Sequence, residues 1–378
     1  MTALLFYGDT ERSPAMRHEL PVTIGDPFLL GIVDGRLHVM TSGLERTRIE
    51  AAVPNAVLYD YDELGFRELL ESGISRHELE LELASRAAAA MGIRVATADP
   101  DMPVAVADRL RADGIVLHLD DEAIAARRRV KSALELAGTR RAQIAAEAGM
   151  SAAAALLRRS ERDGDRLKLD GAVLTAEAVR AAVRDACQAH AAPAPPDIIV
   201  SSPWSGFGHD PGSGPLPADL PIVIDLWPRD EMSGCWADMT RTFVVGEISE
   251  QVRSMEALVL EAIERTREAV APGITGRELH DLVCDVFEPA GYRTQRNGPG
   301  EDPKEGFQFS LGHGVGLAVH EPPGLGRTGH GPLVAGDVIA IEPGLWVREI
   351  GEVRFEDLLL VNEDGGETLT QYPYDLSP

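Results

Sequence analysis

The 378-residue chain is short of positive charge, of aromatic side chains and of cysteine. Thirty-six lysines and arginines stand against 61 aspartates and glutamates, a net charge of −25. Nucleic acid and anionic membrane surfaces would be repelled at long range, so neither is expected as a partner. The three cysteines, Cys187, Cys235 and Cys284, are odd in number and far apart, which leaves no disulfide framework or thiolate metal site. They fit a reducing compartment, and the cytoplasm is the expected location. No run approaches the roughly 18 uncharged apolar residues of a spanning helix. The first twenty residues lack a basic segment followed by an apolar core, so export is not expected either.

What is present is an ordinary globular composition, 44% hydrophobic, in a chain longer than one core usually serves. Two domains are therefore expected, 1–122 and 123–378. In the first, β-rich runs such as PFLLGIVDGRLHVMTSG and ADGIVLHLD alternate with helical SRHELELELASRAAAAMG, which predicts a small α/β domain. From Asp121 to about Glu161 the chain is rich in Ala, Arg and Glu and free of proline, predicting a long, mostly helical segment. AHAAPAPPD, residues 189–197, breaks any helix. Beyond it DIIVSS, PIVIDLW, DMTRTFVVG, VIAIEPGLWV and VRFEDLLLV each read as a strand, and 249–270 and 275–291 as helices.

Five side chains of this second half stand out: Asp225, Asp238, His313, Glu342 and Glu356. Asp225 ends the apolar run PIVID, and Asp238 shares a strand face with Thr240 and Thr242 by the two-residue period. His313 is flanked by glycines that let backbone or ligand come close, and His320 follows beside Glu321 and a Pro-Pro-Gly turn. Glu342 and Glu356 interrupt apolar strands and need partners. For these two the alternative is a buried ion pair with Arg354, which the strand period places on the face of Glu356. Taken one at a time, each residue has a bland reading as a cap, a turn or a structural histidine. Together, four carboxylates and an imidazole are too much buried negative charge to stand without cations. An oxygen-rich set with one imidazole suits Mn²⁺, with Co²⁺, Fe²⁺ or Zn²⁺ as substitutes. Two such ions would ready a water and polarise a carbonyl, the requirement for cleaving an amide.

The order Asp, Asp, His, Glu, Glu, with the phrases DMTRTFVVGE, GHGVGLAVHEPP, IEPGLW and VRFEDLLLV, resembles the pita-bread metallopeptidases, in their aminopeptidase P and prolidase branch. VDGRLHVMTSGLERTR and ARRRVKSALELAGTRRAQ resemble the creatinase-type N-terminal domain. The resemblance implies a two-domain α/β protein whose C-terminal α+β domain holds two metals on a curved antiparallel sheet. It implies a homodimer that hydrolyses the bond before proline in short peptides, with a hydroxide between the metals as nucleophile. Asp225 would bind one metal, Asp238 and Glu356 both, and His313 with Glu342 the other. Glu342 would also serve as general base, His320 would assist proton transfer, His209 would line the scissile-bond side, and Arg354 would orient the carboxylates. The chain departs from the pattern in two places. Asp225 and Asp238 are thirteen residues apart where eleven is usual, an even insertion that a hairpin tip absorbs without turning its strands over. Phe309 stands where many Xaa-Pro enzymes have a histidine; it would touch the substrate proline but cannot donate a hydrogen bond. The competing readings are a creatinase-like hydrolase without metal, a family member acting on a specialised amide, and a non-catalytic scaffold.

Overall fold

The computed structural model describes residues 3–206 and 208–378. The chain divides into two compact units, Met1–Arg128 and Arg129–Pro378. The break falls later than residue 122 because the helix that begins at Asp121 buries Ile124 in the first unit's core, and Arg127 there pairs with Glu19.

The first unit is a six-stranded mixed sheet formed by β1 (Ala3–Gly8), β2 (Phe28–Val33), β3 (Arg36–Thr41), β4 (Val57–Asp60), β5 (Val95–Ala98) and β6 (Val116–Leu119), in the order β4-β3-β2-β1-β5-β6. Its helices are α1 (Pro14–Glu19), α2 (Arg46–Ala52), α3 (Phe66–Glu71), α4 (Arg76–Ala90), α5 (Val104–Ala112) and α6 (Asp121–Arg129). Leu5, Leu29, Leu30, Val39 and the α4 residues Leu83 and Ala87 lie in its core.

The helix expected from Asp121 to Glu161 is two. α6 stops at Arg129, and α7 runs over Ala133–Arg159. Ser132 starts the second one with a capping box: its hydroxyl accepts from Glu135 N and the Glu135 carboxylate accepts from Ser132 N. A short hairpin sheet follows, β7 (Glu161–Asp163), β8 (Arg166–Leu169) and β9 (Ala172–Val173), and then α8 (Ala176–Ala189). The remaining elements are β10 (Ile199–Ser201), β11 (Ile222–Leu226), β12 (Met239–Phe243), α9 (Glu250–Ala269), α10 (Gly276–Phe287), β13 (Gly312–Gly314), β14 (Glu321–Leu325), β15 (Val338–Ile341), β16 (Gly344–Val347), β17 (Gly351–Arg354), β18 (Asp357–Asn362) and β19 (Gly365–Thr368).

These strands form antiparallel ladders β10-β11-β12, β14-β13-β15-β18-β19 and β16-β17. α7 and α8 pack on the first through small residues such as Ala146 and Ala153, while α9 and α10 pack on the others. The two runs expected as single strands are each broken in two, VIAIEPGLWV at Glu342-Pro343 and VRFEDLLLV at Phe355-Glu356. Pro343 offers no N–H to a ladder. At the second break Glu356 N turns to Thr240 O (3.0 Å), which links the three-stranded ladder to the five-stranded one. The expected Pro-Pro-Gly turn is instead part of β14, an edge strand, where proline's missing donor costs nothing. No helix among the described residues is long and apolar enough to cross a membrane.

Candidate metal centre

The breaks in the strands position the site. Asp225 is carried on β11 opposite Thr240, Asp238 comes one residue before β12, and His313 is central in β13. Glu342 and Glu356 occupy the two interruptions, where a side chain is released from strict alternation and can turn inward. The glycines beside His313 are needed for backbone approach. A Cβ on Gly312 would stand 2.0 Å from Ala340 O, and one on Gly314 2.5 Å from Pro322 O.

His313 Nε2 lies 3.7 Å from both Asp238 Oδ2 and Glu342 Oε1. One ligand atom each of Asp238, His313 and Glu356 fall within 4.8 Å of one another. Nδ1–H of His313 donates to Gly314 O (3.1 Å), which leaves the Nε2 lone pair facing the carboxylates. Burial, and then the neighbouring His320, brings His313 down to about 4, so Nε2 carries no proton at neutral pH. Lone pairs aimed at one another repel unless a cation lies between them.

The carboxylates report the same deficit. Burial, then Glu356, Asp225 and Glu342, pushes Asp238 far above the usual range, and burial followed by Glu342 and Asp225 does the same to Glu356. Glu342 is raised by burial to about 8 although Arg354 pulls it down. Arg354 donates from Nη2 to Asp225 Oδ2 (2.8 Å) and from Nη1 to Glu342 Oε2 (3.0 Å). It does not hydrogen-bond Glu356, which is held instead by the Thr240 hydroxyl at 2.8 Å. The simple ion-pair alternative therefore accounts for Glu342 but leaves Asp238 and Glu356 without a counter-charge. The donor set and its missing positive charge fit divalent cations.

A cavity of about 300 Å³ opens on this cluster, and His209, His320, Trp227, Val319 and Asp197 line it with Asp225, Asp238, Glu342, Glu356, Arg354 and His313. The ring centroids of His320 and His313 are 4.2 Å apart, and those of His209 and His320 6.4 Å. Burial and then His209 lower His320, favouring its neutral form. Next to it, Glu321 accepts from Ala318 N (3.3 Å) and pairs with the buried Lys131, pinning the turn that presents His320. Phe309 does not line the cavity. Its ring stacks edge-on against Phe307 (5.0 Å), and its tip approaches Gly344.

Sequence reading missed Glu352, a buried carboxyl 3.7 Å from Arg354 Nε and raised by its burial. The two-residue period from Arg354 was the available signal. It also missed Trp227, two residues past Asp225, and Asp197, which was read as the join between a helix-breaking stretch and the strand DIIVSS. The longer hairpin tip is pinned where Arg141 donates twice to Asp230 (2.8 Å each) and Asp230 accepts from Ser233 N and Oγ.

The profile of metallopeptidase family M24 matches residues 137–363. Over 186 residues the chain is 37% identical to a Xaa-Pro dipeptidase of Pyrococcus furiosus, covering 49% of each. It is 34% identical over 180 residues to a putative dipeptidase of Bacillus subtilis, covering 47% and 46%. The matched stretch thus spans about half the length of these curated relatives. Among solved structures, an X-Pro aminopeptidase from Thermotoga maritima superposes with a TM-score of 0.79 at 20% identity, over 99% of this chain and 97% of that one. The prolidase from Pyrococcus horikoshii OT3 does so with a TM-score of 0.75 at 22% identity, over 100% and 95%. The two-unit architecture with its pita-bread half is shared with them.

Proposed function

The chain belongs to metallopeptidase family M24, and from that premise we propose that it hydrolyses the peptide bond before proline in short peptides, using two divalent ions. Asp225, Asp238, His313, Glu342 and Glu356 would hold the ions. Mn²⁺ suits the oxygen-rich set best. When bound, such ions lower the pKa of a water and polarise the scissile carbonyl.

The chain's own groups do the rest. Glu342, held at its other oxygen by Arg354 Nη1, would take the proton as the water attacks. The neutral His320 can donate a hydrogen bond to the developing oxyanion and carry a proton toward the leaving nitrogen. Arg354 keeps Asp225 and Glu342 turned into the cavity, while His209 and Trp227 wall it. We further propose that the first unit is a creatinase-type domain, and that the protein works as a cytoplasmic homodimer.

The observation that carries this reading is the convergence of unprotonated His313 Nε2 on a group of buried carboxylates that outnumbers the one guanidinium among them. That full set also weighs against a scaffold or a metal-free hydrolase. The test is an assay of metal-reconstituted protein on Xaa-Pro dipeptides, Xaa-Pro tripeptides and peptides without proline, beside Glu342→Ala. Absence of turnover with metal bound would sink the proposal.

A further inference from the structure

The cavity lining carries five carboxylates, Asp197, Asp225, Asp238, Glu342 and Glu356, against one guanidinium. That guanidinium is committed: both Nη atoms of Arg354 donate to Asp225 and Glu342. With Arg354 counted, two divalent ions would bring the five carboxylates of the lining, the exposed Asp197 included, to neutrality, leaving no positive charge over for an incoming carboxylate. Among the described residues the lining otherwise offers only imidazoles, an indole and Val319. It has no unengaged fixed positive charge.

This bears on the product side of the scissile bond. In an Xaa-Pro dipeptide the C-terminal carboxyl carbon is joined to the scissile carbonyl carbon through one nitrogen and one Cα, so it lies within about 4 Å of that carbon. The carboxylate must then enter the cavity, where a negative charge needs a cationic partner to offset its desolvation. In a longer or amidated peptide a neutral carbonyl stands there instead, and any terminal charge is moved out by up to about 3.5 Å per added residue.

We infer that the substrates are peptides that continue past the proline, or end in an amide, rather than free Xaa-Pro dipeptides. This rests on the Xaa-Pro reading above. The test compares kcat/KM of the Mn²⁺-loaded protein on Ala-Pro, Ala-Pro-amide and Ala-Pro-Ala. The amide and the tripeptide are expected to exceed the dipeptide by about tenfold or more, because like-charge contact in a desolvated site is strongly disfavoured. The gap should shrink with added salt and in Asp197→Lys, which places a cation on the lining. Equal or better turnover of Ala-Pro overturns the inference and leaves the peptidase reading standing. Failure on all three peptides overturns that reading and the inference with it.

Discussion

At the scale of single residues, the informative groups are those whose ordinary ionisation the fold disturbs. Glu342 titrates near 8 in the folded, metal-free protein against 4.5 ordinarily. The native state therefore binds more protons than the unfolded chain between those values, and the stability this lends is full below 4.5 and lost as pH rises through about 8. Metal-free protein is expected to show a higher urea midpoint at pH 6 than at pH 8.5, by on the order of 1 kcal/mol or more. A flat profile would show that the cluster is not desolvated. Thr240 supports Glu356 through one hydroxyl. Thr240→Val keeps the shape and removes the donor, so Mn²⁺ affinity measured by calorimetry should fall about 10–100-fold with the fold retained.

At the scale of elements, the path of the strands matters more than their composition. Glu342 and Glu356 reach the cavity because β15 does not continue into β16, nor β17 into β18. Gly138 of α7 shows how closely the helix seats the hairpin tip between β11 and β12. A Cβ on Gly138 would meet Ser233 Oγ at 1.9 Å and its Cβ at 2.6 Å, while that serine is fixed to Asp230. Alanine normally favours a helix over glycine by about 1 kcal/mol. Here overpacking of about 1–3 kcal/mol should outweigh it, so Gly138→Ala is expected to lower the melting temperature. A rise would mean that the tip moves freely. Removing one partner of the buried Lys131–Glu321 pair, as in Lys131→Met, should cost about 3–5 kcal/mol, read by denaturant unfolding.

For the molecule as a whole, the second unit is held against uncompensated charge at its centre, so cations should act as a structural ligand as well as a catalytic one. Saturating Mn²⁺ at about 100 times its dissociation constant would stabilise the native state by about 2.7 kcal/mol. A melting temperature that climbs with Mn²⁺ and falls back with chelator is the expected result in scanning calorimetry. It should be absent in a Glu356→Gln variant, where one carboxylate of the cluster is gone. An unchanged melting curve in the wild type would count against a metal centre.

The sequence by itself singled out the five side chains that come to line one cavity, the antiparallel ribbon from Asp225 to Thr242 and the need for glycine around His313. Each follows from local rules: residue type, two-residue alternation and the space a side chain occupies. It also placed the helices Glu250–Ala269 and Gly276–Phe287, the second running four residues too far at its end, because amphipathic periodicity is a property of neighbours along the chain. Only the tertiary structure decided that Arg354 serves Asp225 and Glu342 while Thr240 serves Glu356, that Phe309 packs edge-on against Phe307, and that Glu352 is buried beside Arg354. Those outcomes depend on strands distant in sequence meeting at two breaks. A break is a choice between continuing a ladder and turning toward another, and the energy that decides it lies in partners such as Thr240 O, more than a hundred residues away from Glu356 N.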